Sequence, residues 1–318
     1  MLPSNQLTVR NPRVCEAAKL AQKKFRRQTG CILIEGARLV SDALAAGAPV
    51  REVFATAAFA GSAAGQELHR HLDAARRCSP VRTGEHLPTG PTPISDAAAA
   101  KLSETRTPQG VFAVVEFTTA SFDAAFSAPG RCSPVRTGEH LSARQEGPAP
   151  AQKKCPPVRT GGHLAAPLVL LADNIADPGN LGTMIRSAAA LGASGVVAAG
   201  DSCDVLNPKT VRATMGAIFR LPVVADVALP AAIDMLKGGG IRIIAAVPRR
   251  GKAPWELDLR GATALLIGSE AAGLHSSAIK LADARVTVPM PGGTESLNAA
   301  ATAAALLYEA ARQRAGVT

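Results

Sequence analysis

The sequence predicts a two-part α/β protein whose second part is built on a parallel sheet buried on both faces. Three observations carry this. Short runs of Val, Ile and Leu alternate with helix-length amphipathic segments through most of the 318 residues, the signature of strand–helix units. From Pro167 onward, runs such as "LVLLA" and "GVVAA" are apolar at every position rather than at alternate ones, as strands covered by helices on both sides must be. Between the two parts lies a Pro- and Gly-rich stretch with little apolar surface to bury, so the chain divides there.

The first part spans residues 11–118. "NPRVCEAAKLAQKKFRRQTG" has apolar periodicity with Lys and Arg at the other positions, which predicts one basic amphipathic helix stopped by Gly30. "CILIEG" is then a short buried strand, "ARLVSDALAAG" a helix, "VREVFAT" a strand and "AAGQELHRHLDAAR" a helix. After an interruption, "ISDAAAAKLS" reads as helix and "GVFAVVEF" as strand.

That interruption is repeated. "RCSPVRTGEHL" occupies Arg77–Leu87, recurs unchanged at Arg131–Leu141, and returns as "KCPPVRTGGHL" at Lys154–Leu164. Offsets of 54 and 23 residues exclude a fixed-period solenoid. Cys78, His86, Cys132, His140, Cys155 and His163 could supply zinc ligands, but no copy has the close Cys–Cys or His–His pair of a compact zinc module. The composition instead predicts inserted flexible peptide and no metal, with residues 119–165 a linker.

The second part spans 166–318. Strands are expected at "PLVLLAD", "GVVAAG", "LPVVAD", "IRIIAAV", "TALLIGS" and "ARVTVPM". Helices are expected at Asn180–Leu191, "NPKTVRATMGAIF", "LPAAIDMLKGG" and from Ser296 to about Arg314. Sheets of this kind place their sites in loops beyond the strand carboxyl ends.

Charge and composition narrow the partner. Residues 1–165 hold 21 Lys and Arg against 13 Asp and Glu, and residues 166–318 hold 14 against 12, so the basic excess sits in the first half. A segregated cationic half suits a polyanion, because neutralising phosphates releases counterions. Aromatics make up only 3% of the chain, which argues against a base-stacking platform. No apolar run is long enough for a membrane span, the first residues lack a signal-peptide core, and the irregular cysteines suit free thiols, so the expected compartment is the cytoplasm.

Three strand-end loops are chemically dense. "NIADPGNLGTMIRSAAALG" (174–192) carries Asn180 and Arg186, "IGSEAAGL" (267–274) carries Glu270, and "VPMPGGTESLNAAAT" (288–302) carries Ser296 and Asn298. Nucleotide-binding alternatives fail. "GSEAAGLH" lacks the Lys–Ser/Thr of a phosphate loop, and no G-x-G-x-x-G follows the first strand of the parallel sheet. Singly, Asn180 or Ser296 could be a helix cap and Glu270 a solvated acid. Together, at three strand ends, they read as one site.

These three stretches resemble the signature motifs of the SpoU (TrmH-type) RNA ribose methyltransferases of the SPOUT superfamily, over residues 167–314. Residues 11–118 resemble, more weakly, the ribosomal-protein-like RNA-binding domain that often precedes that catalytic domain. The third motif departs in its bland "NAAAT", and the repeats have no counterpart.

The resemblance implies methyl transfer from S-adenosylmethionine to a ribose 2′-hydroxyl by a homodimer, on a parallel sheet ending in a deep trefoil knot. It implies 23S ribosomal RNA as the substrate, with transfer RNA, or a non-catalytic ribosome-assembly role, as alternatives. By motif match, Gly268, Val288, Met290 and Leu297 would hold the cofactor. Arg186 would be the catalytic arginine, with Asn180, Glu270, Ser296 and Asn298 placing substrate and cofactor around it. Glu270 is the expected holder of Arg186 or of the target sugar.

Overall fold

The computed structural model describes residues 6–78, 88–126 and 166–316. In the first unit, strands β1 (Cys31–Glu35), β2 (Val50–Thr56), β3 (Thr92–Ile94) and β4 (Val111–Glu116) are joined by helices α1 (Pro12–Lys19), α2 (Lys23–Thr29), α3 (Ala37–Ala45), α4 (Ala57–Ala60), α5 (Ala63–Cys78) and α6 (Asp96–Leu102). The sheet order is β1-β4-β2-β3. β4 runs antiparallel to both β1 and β2, and β3 adds parallel to β2.

The basic N-terminal stretch expected as one helix is two. Nη1 of Arg26 takes the carbonyls of Leu20 and Ala21, at 2.7 and 2.6 Å, and Gln22 is extended between α1 and α2. A guanidinium that claims those carbonyls stabilises the break, a tertiary choice no periodicity reports. The expected stop does occur: Gly30 caps α2 in the left-handed conformation at φ 63°.

The second unit comprises β5 (Leu168–Asp173), β6 (Gly195–Ala199), β7 (Val223–Val227), β8 (Arg242–Ala246), β9 (Thr263–Ile267) and β10 (Ala284–Val286). Its helices are α8 (Pro178–Ala190), α9 (Pro208–Ala213), α10 (Leu229–Gly238), α11 (Ser276–Leu281) and α12 (Ala299–Arg314), preceded by the short α7 (Phe122–Phe126). Every strand pair is parallel, in the order β10-β8-β9-β5-β6-β7. β5, β6 and β9 are buried at every residue, as the apolar runs Leu168–Ala172, Gly195–Ala199 and Ala264–Ile267 predict, and burial extends to Asp173 and Thr263 at the ends of β5 and β9. Each fully buried Leu or Val contributes about 1.5–3 kcal/mol.

Several expected bounds shift. The helix expected over "NPKTVRATMGAIF" breaks after α9, because Met215 and Gly216 take φ of 48° and 80°. A Cβ at Gly216 would lie 2.4 Å from Oδ2 of Asp42 in α3, so the first unit presses on this turn where only glycine fits. The strand expected over "ARVTVPM" pairs only at Ala284–Val286. Residues 120–126, within the stretch expected as linker, lie on the sheet: Ala120 N–H donates to Val223, and the Phe126 ring sits against Gly195. The repeats lie outside the described residues from Ser79 onward. Among the described residues, no His, Cys, Asp and Glu cluster could hold a metal, and no helix is long and apolar enough to cross a membrane.

The units pack directly on each other. One apolar cluster runs from Ile34, Leu39 and Val40 to Val211, Ile218 and Leu168, and Phe117 meets Phe219 edge-on at 5.4 Å between centroids.

Candidate active site

The carboxyl ends of β8, β9 and β10 open into a cleft of about 600 Å³, within the range of small-molecule sites. β9 delivers its floor. Immediately after this buried strand, Gly268 lies under a tight loop, Ser269–Gly273, closed by the Gly273 N–H to the Ser269 carbonyl at 2.9 Å. A Cβ on Gly268 would stand 2.4 Å from the Gly273 carbonyl carbon and 2.5 Å from the Leu274 nitrogen, so only glycine permits this approach. The loop's second residue, Glu270, reaches the rim.

The opposite wall comes from the chain after β10. Val288, Met290, Ser296 and Leu297 line the cleft, with Leu297 42% exposed. That wall ends where α12 begins, and Asn298 is the reason: its Oδ1 accepts the N–H groups of Ala300 and Ala301 at 2.9 and 3.2 Å. Ser296 is therefore not the cap of the last helix.

The first loop joins the other two. α8 starts because Asp177 caps it, Oδ1 accepting the Asn180 N–H at 2.8 Å, and Pro178 follows as its first residue. Lys209, in the first turn of α9, donates to the other oxygen at 3.0 Å. The ammonium, with the Asn180 N–H, holds the Asp177 carboxyl below the usual carboxylate range. With capping done by Asp177, the Asn180 side chain is free to point outward. Its Nδ2 donates to Oε1 of Glu270 at 2.5 Å, and its Oδ1 accepts from Nδ2 of Asn298 at 3.1 Å. One carboxamide thus ties all three loops.

Arg186 stands apart. It lies six residues beyond Asn180 on α8, about 9 Å along the axis and roughly 120° around it, and it is exposed. Of the two partners expected for Glu270, Arg186 and the target sugar, the first is not met: Glu270 holds Asn180, and among the described residues Arg186 has no hydrogen bond or ion pair. The geometry explains this: the α8 face that meets Glu270 and Asn298 is not the face that carries Arg186. The guanidinium is a planar cation exposed to solvent, available to an incoming anion.

Two further features escaped the sequence reading. Lys209 belongs to the site through Asp177, and the "NPK" helix start after β6, another strand-end loop, was the available signal. Asp173, the last residue of β5, is buried beneath the first loop with its Oδ1 unpartnered, and desolvation pushes its carboxyl above the ordinary range. Nothing in a run of "LVLLAD" separates that aspartate from an exposed one.

The comparisons with known proteins agree with this architecture. A model described as the SpoU rRNA Methylase family matches residues 167–308, and one described as an MRM3-like substrate binding domain matches residues 11–113. The 23S rRNA (guanosine(2553)-2′-O)-methyltransferase RlmP of Bacillus subtilis (strain 168) is 31% identical over 95% of this chain and 96% of its own length. The 23S rRNA (uridine(2479)-2′-O)-methyltransferase of Streptomyces viridochromogenes is 41% identical over 46% of this chain and 53% of its own. The crystal structure of the SpoU methyltransferase AviRb from Streptomyces viridochromogenes, in complex with the cofactor AdoMet, superposes with a TM-score of 0.72 at 30% identity, covering 96% of this chain and 99% of that one. The chain belongs to the SpoU rRNA methylase family.

Proposed function

We propose that this protein methylates a ribose 2′-hydroxyl of ribosomal RNA, using S-adenosylmethionine. The observation that carries the reading is the Glu270–Asn180–Asn298 clasp, which draws the three motif loops around a single cleft. The full-length similarity to a 23S rRNA 2′-O-methyltransferase and to an AdoMet-bound relative supports it.

The residues fit that cofactor. Apolar walls at Val288, Met290 and Leu297 suit the adenosyl group, and the close backbone at Gly268 provides main-chain polar groups at the cleft floor. When bound, the cofactor supplies an activated methyl group on sulfonium sulfur. Glu270 and Asn298, fixed by Asn180, set the loop spacing that orients it. Ser296 lies on the wall where the ribose would enter. Arg186 grips an RNA phosphate with its fork of donors and aligns the hydroxyl, since a guanidinium is a poor proton acceptor and a strong anion clamp.

Residues 11–118 form the RNA-recognition part, 119–165 connect it, and 166–318 form the catalytic part, acting in the cytoplasm. The chain segment after β8 closes on the segment after β10: Gly251 N–H donates to Thr287 Oγ1 at 2.9 Å and Thr287 N–H to the Lys252 carbonyl at 2.9 Å. The trefoil knot implied by the three family motifs would lie here, where these two segments run side by side. The chain's single Trp and single Tyr, Trp255 and Tyr308, are each 63% exposed, Tyr308 on α12 and Trp255 in the turn packed against that helix. They supply an apolar face for a homodimer.

Mapping ribose methylation across total RNA, with and without the gene, tests the reading. One 23S site should lose its methyl group without the gene and regain it from purified protein and S-adenosylmethionine. A site in transfer RNA would move the substrate; no lost site, with no transfer in vitro, would defeat the enzyme reading.

A further inference from the structure

The two units are held by more than apolar packing. Arg26, in α2, is the one Lys or Arg buried between them among the described residues, with its side chain 3% exposed. Nη2 donates to Oδ2 of Asp204 at 2.5 Å, 178 residues away in the loop after β6, while Nη1 is fixed by the two carbonyls of the α1–α2 break. Asp204 in turn shapes its own loop. Its Oδ1 accepts the Leu206 N–H at 3.0 Å and its carbonyl accepts from Thr210 Oγ1 at 3.2 Å, which sets the start of α9. From there Lys209 reaches Asp177, the cap of the helix bearing Asn180 and Arg186. Polar contacts, joined by the one backbone step from Thr210 to Lys209, thus lead from α2 to the catalytic loop.

The helix so anchored is cationic on its outer side. Lys23, Lys24 and Arg27 are exposed, and both Lys23 and Arg27 reach Asp226 at the carboxyl end of β7, at 3.4 and 2.7 Å. A cavity of about 190 Å³ lies between α2 and the ends of β6 and β7. The basic helix therefore stands on the same sheet edge as the catalytic loops, at the opposite end from the cofactor cleft. Stability alone does not explain Arg26, because a buried ion pair is often no better than apolar packing of the same volume. What apolar contact lacks is direction. A guanidinium holding three acceptors on two units fixes an angle between them.

We propose that Arg26 is a positioning residue for the reaction: it fixes α2 over the strand-end edge so that RNA gripped by Lys23, Lys24 and Arg27 presents its ribose to Arg186 and the cleft. The proposal rests on the RNA methylation reading above. Arg26→Met keeps bulk and removes the fork, Arg26→Lys keeps the charge, and Asp204→Asn removes the partner's charge while sparing the Leu206 bond.

Single-turnover methylation is compared on a full-length 23S transcript and on the shortest fragment of it that the wild-type protein still methylates, beside cofactor calorimetry and small-angle scattering. Arg26→Met and Asp204→Asn should slow the full-length transcript by about tenfold or more at saturating RNA. The short fragment and the S-adenosylmethionine Kd should change less than about twofold. Arg26→Lys should fall between, and scattering should show a larger radius of gyration for Arg26→Met. Equal losses on both RNAs, or none on either, would overturn the positioning role. If Arg26→Met does not fold, Asp204→Asn carries the same comparison. If the wild-type protein methylates no RNA, the functional reading fails; scattering then judges the anchor alone, and superimposable wild-type and variant curves would overturn it.

Discussion

Asn180 donates to Glu270 at 2.5 Å and accepts from Asn298 at 3.1 Å, so one carboxamide on α8 bridges a loop that follows β9 and a loop that follows β10. Only a side chain that both donates and accepts can do this. Asn180→Asp sets a second carboxylate against Glu270 and should weaken S-adenosylmethionine binding about tenfold, since the cleft walls lose their spacing. Adding Glu270→Gln restores a donor opposite the new acceptor and should recover most of that affinity. Calorimetry on the two singles and the double gives the coupling; strictly additive losses would mean the bridge does not set the cleft.

Arg186 has a different task, on the helix face turned away from that bridge. Arg186→Ala should leave the cofactor Kd within about twofold while slowing single-turnover methylation about a hundredfold or more, the scale of a lost charge clamp at a transition state. Arg186→Lys should not restore the rate, because lysine cannot grip two phosphate oxygens in one plane. Near-normal turnover in either variant would remove Arg186 from the chemistry.

Gly268 tests the cleft floor. Any Cβ there meets main chain at 2.4–2.5 Å, and main chain cannot rotate away as a side chain can. Gly268→Ala should cost about 1–3 kcal/mol of stability through overpacking and abolish measurable cofactor binding. A thermal melt within a degree of wild type, with intact binding, would show that the Ser269–Gly273 loop yields.

Asp173 makes a prediction of opposite sign. Burial raises its folded pKa above the unfolded value, so between the two values the native state binds the extra proton, and stability falls as pH rises through the folded pKa. The penalty is fully present above the folded pKa and relieved in acid. Asp173→Asn should therefore melt at or above wild type at pH 7, with the difference shrinking as pH falls toward the ordinary aspartate range. A variant that melts lower at pH 7, by a margin independent of pH, would show that the carboxylate stabilises this site.

The repeats offer a simple deletion. Removing Arg131–Leu164 and leaving a short polar spacer should preserve cofactor affinity and most activity, since the segment lies outside all three motif loops and carries little apolar surface. Stoichiometric zinc in the purified protein, lost together with activity on deletion, would count decisively the other way.

Much of this was legible in the chain itself. Short unbroken apolar runs such as Leu168–Ala172 and Ala264–Ile267, each bounded by polar or turn residues, point to parallel strands covered on both faces, because every side chain in them must be hidden. Motif residues at the ends of those strands fix where the cleft opens, and the likeness of those motifs to a known family fixes the cofactor they would hold. What the linear pattern leaves open is how polar groups pair across distance. That Asp177, not Asn180, caps α8 depends on a loop conformation, and it is this that frees Asn180 to reach Glu270, 90 residues on. The break between α1 and α2 depends on Arg26 finding two carbonyls, and the joining of the two units depends on the same side chain finding Asp204. Hydrophobic periodicity is a local property that each segment carries alone, whereas a hydrogen bond or ion pair between remote residues exists only once packing has brought both partners to one place.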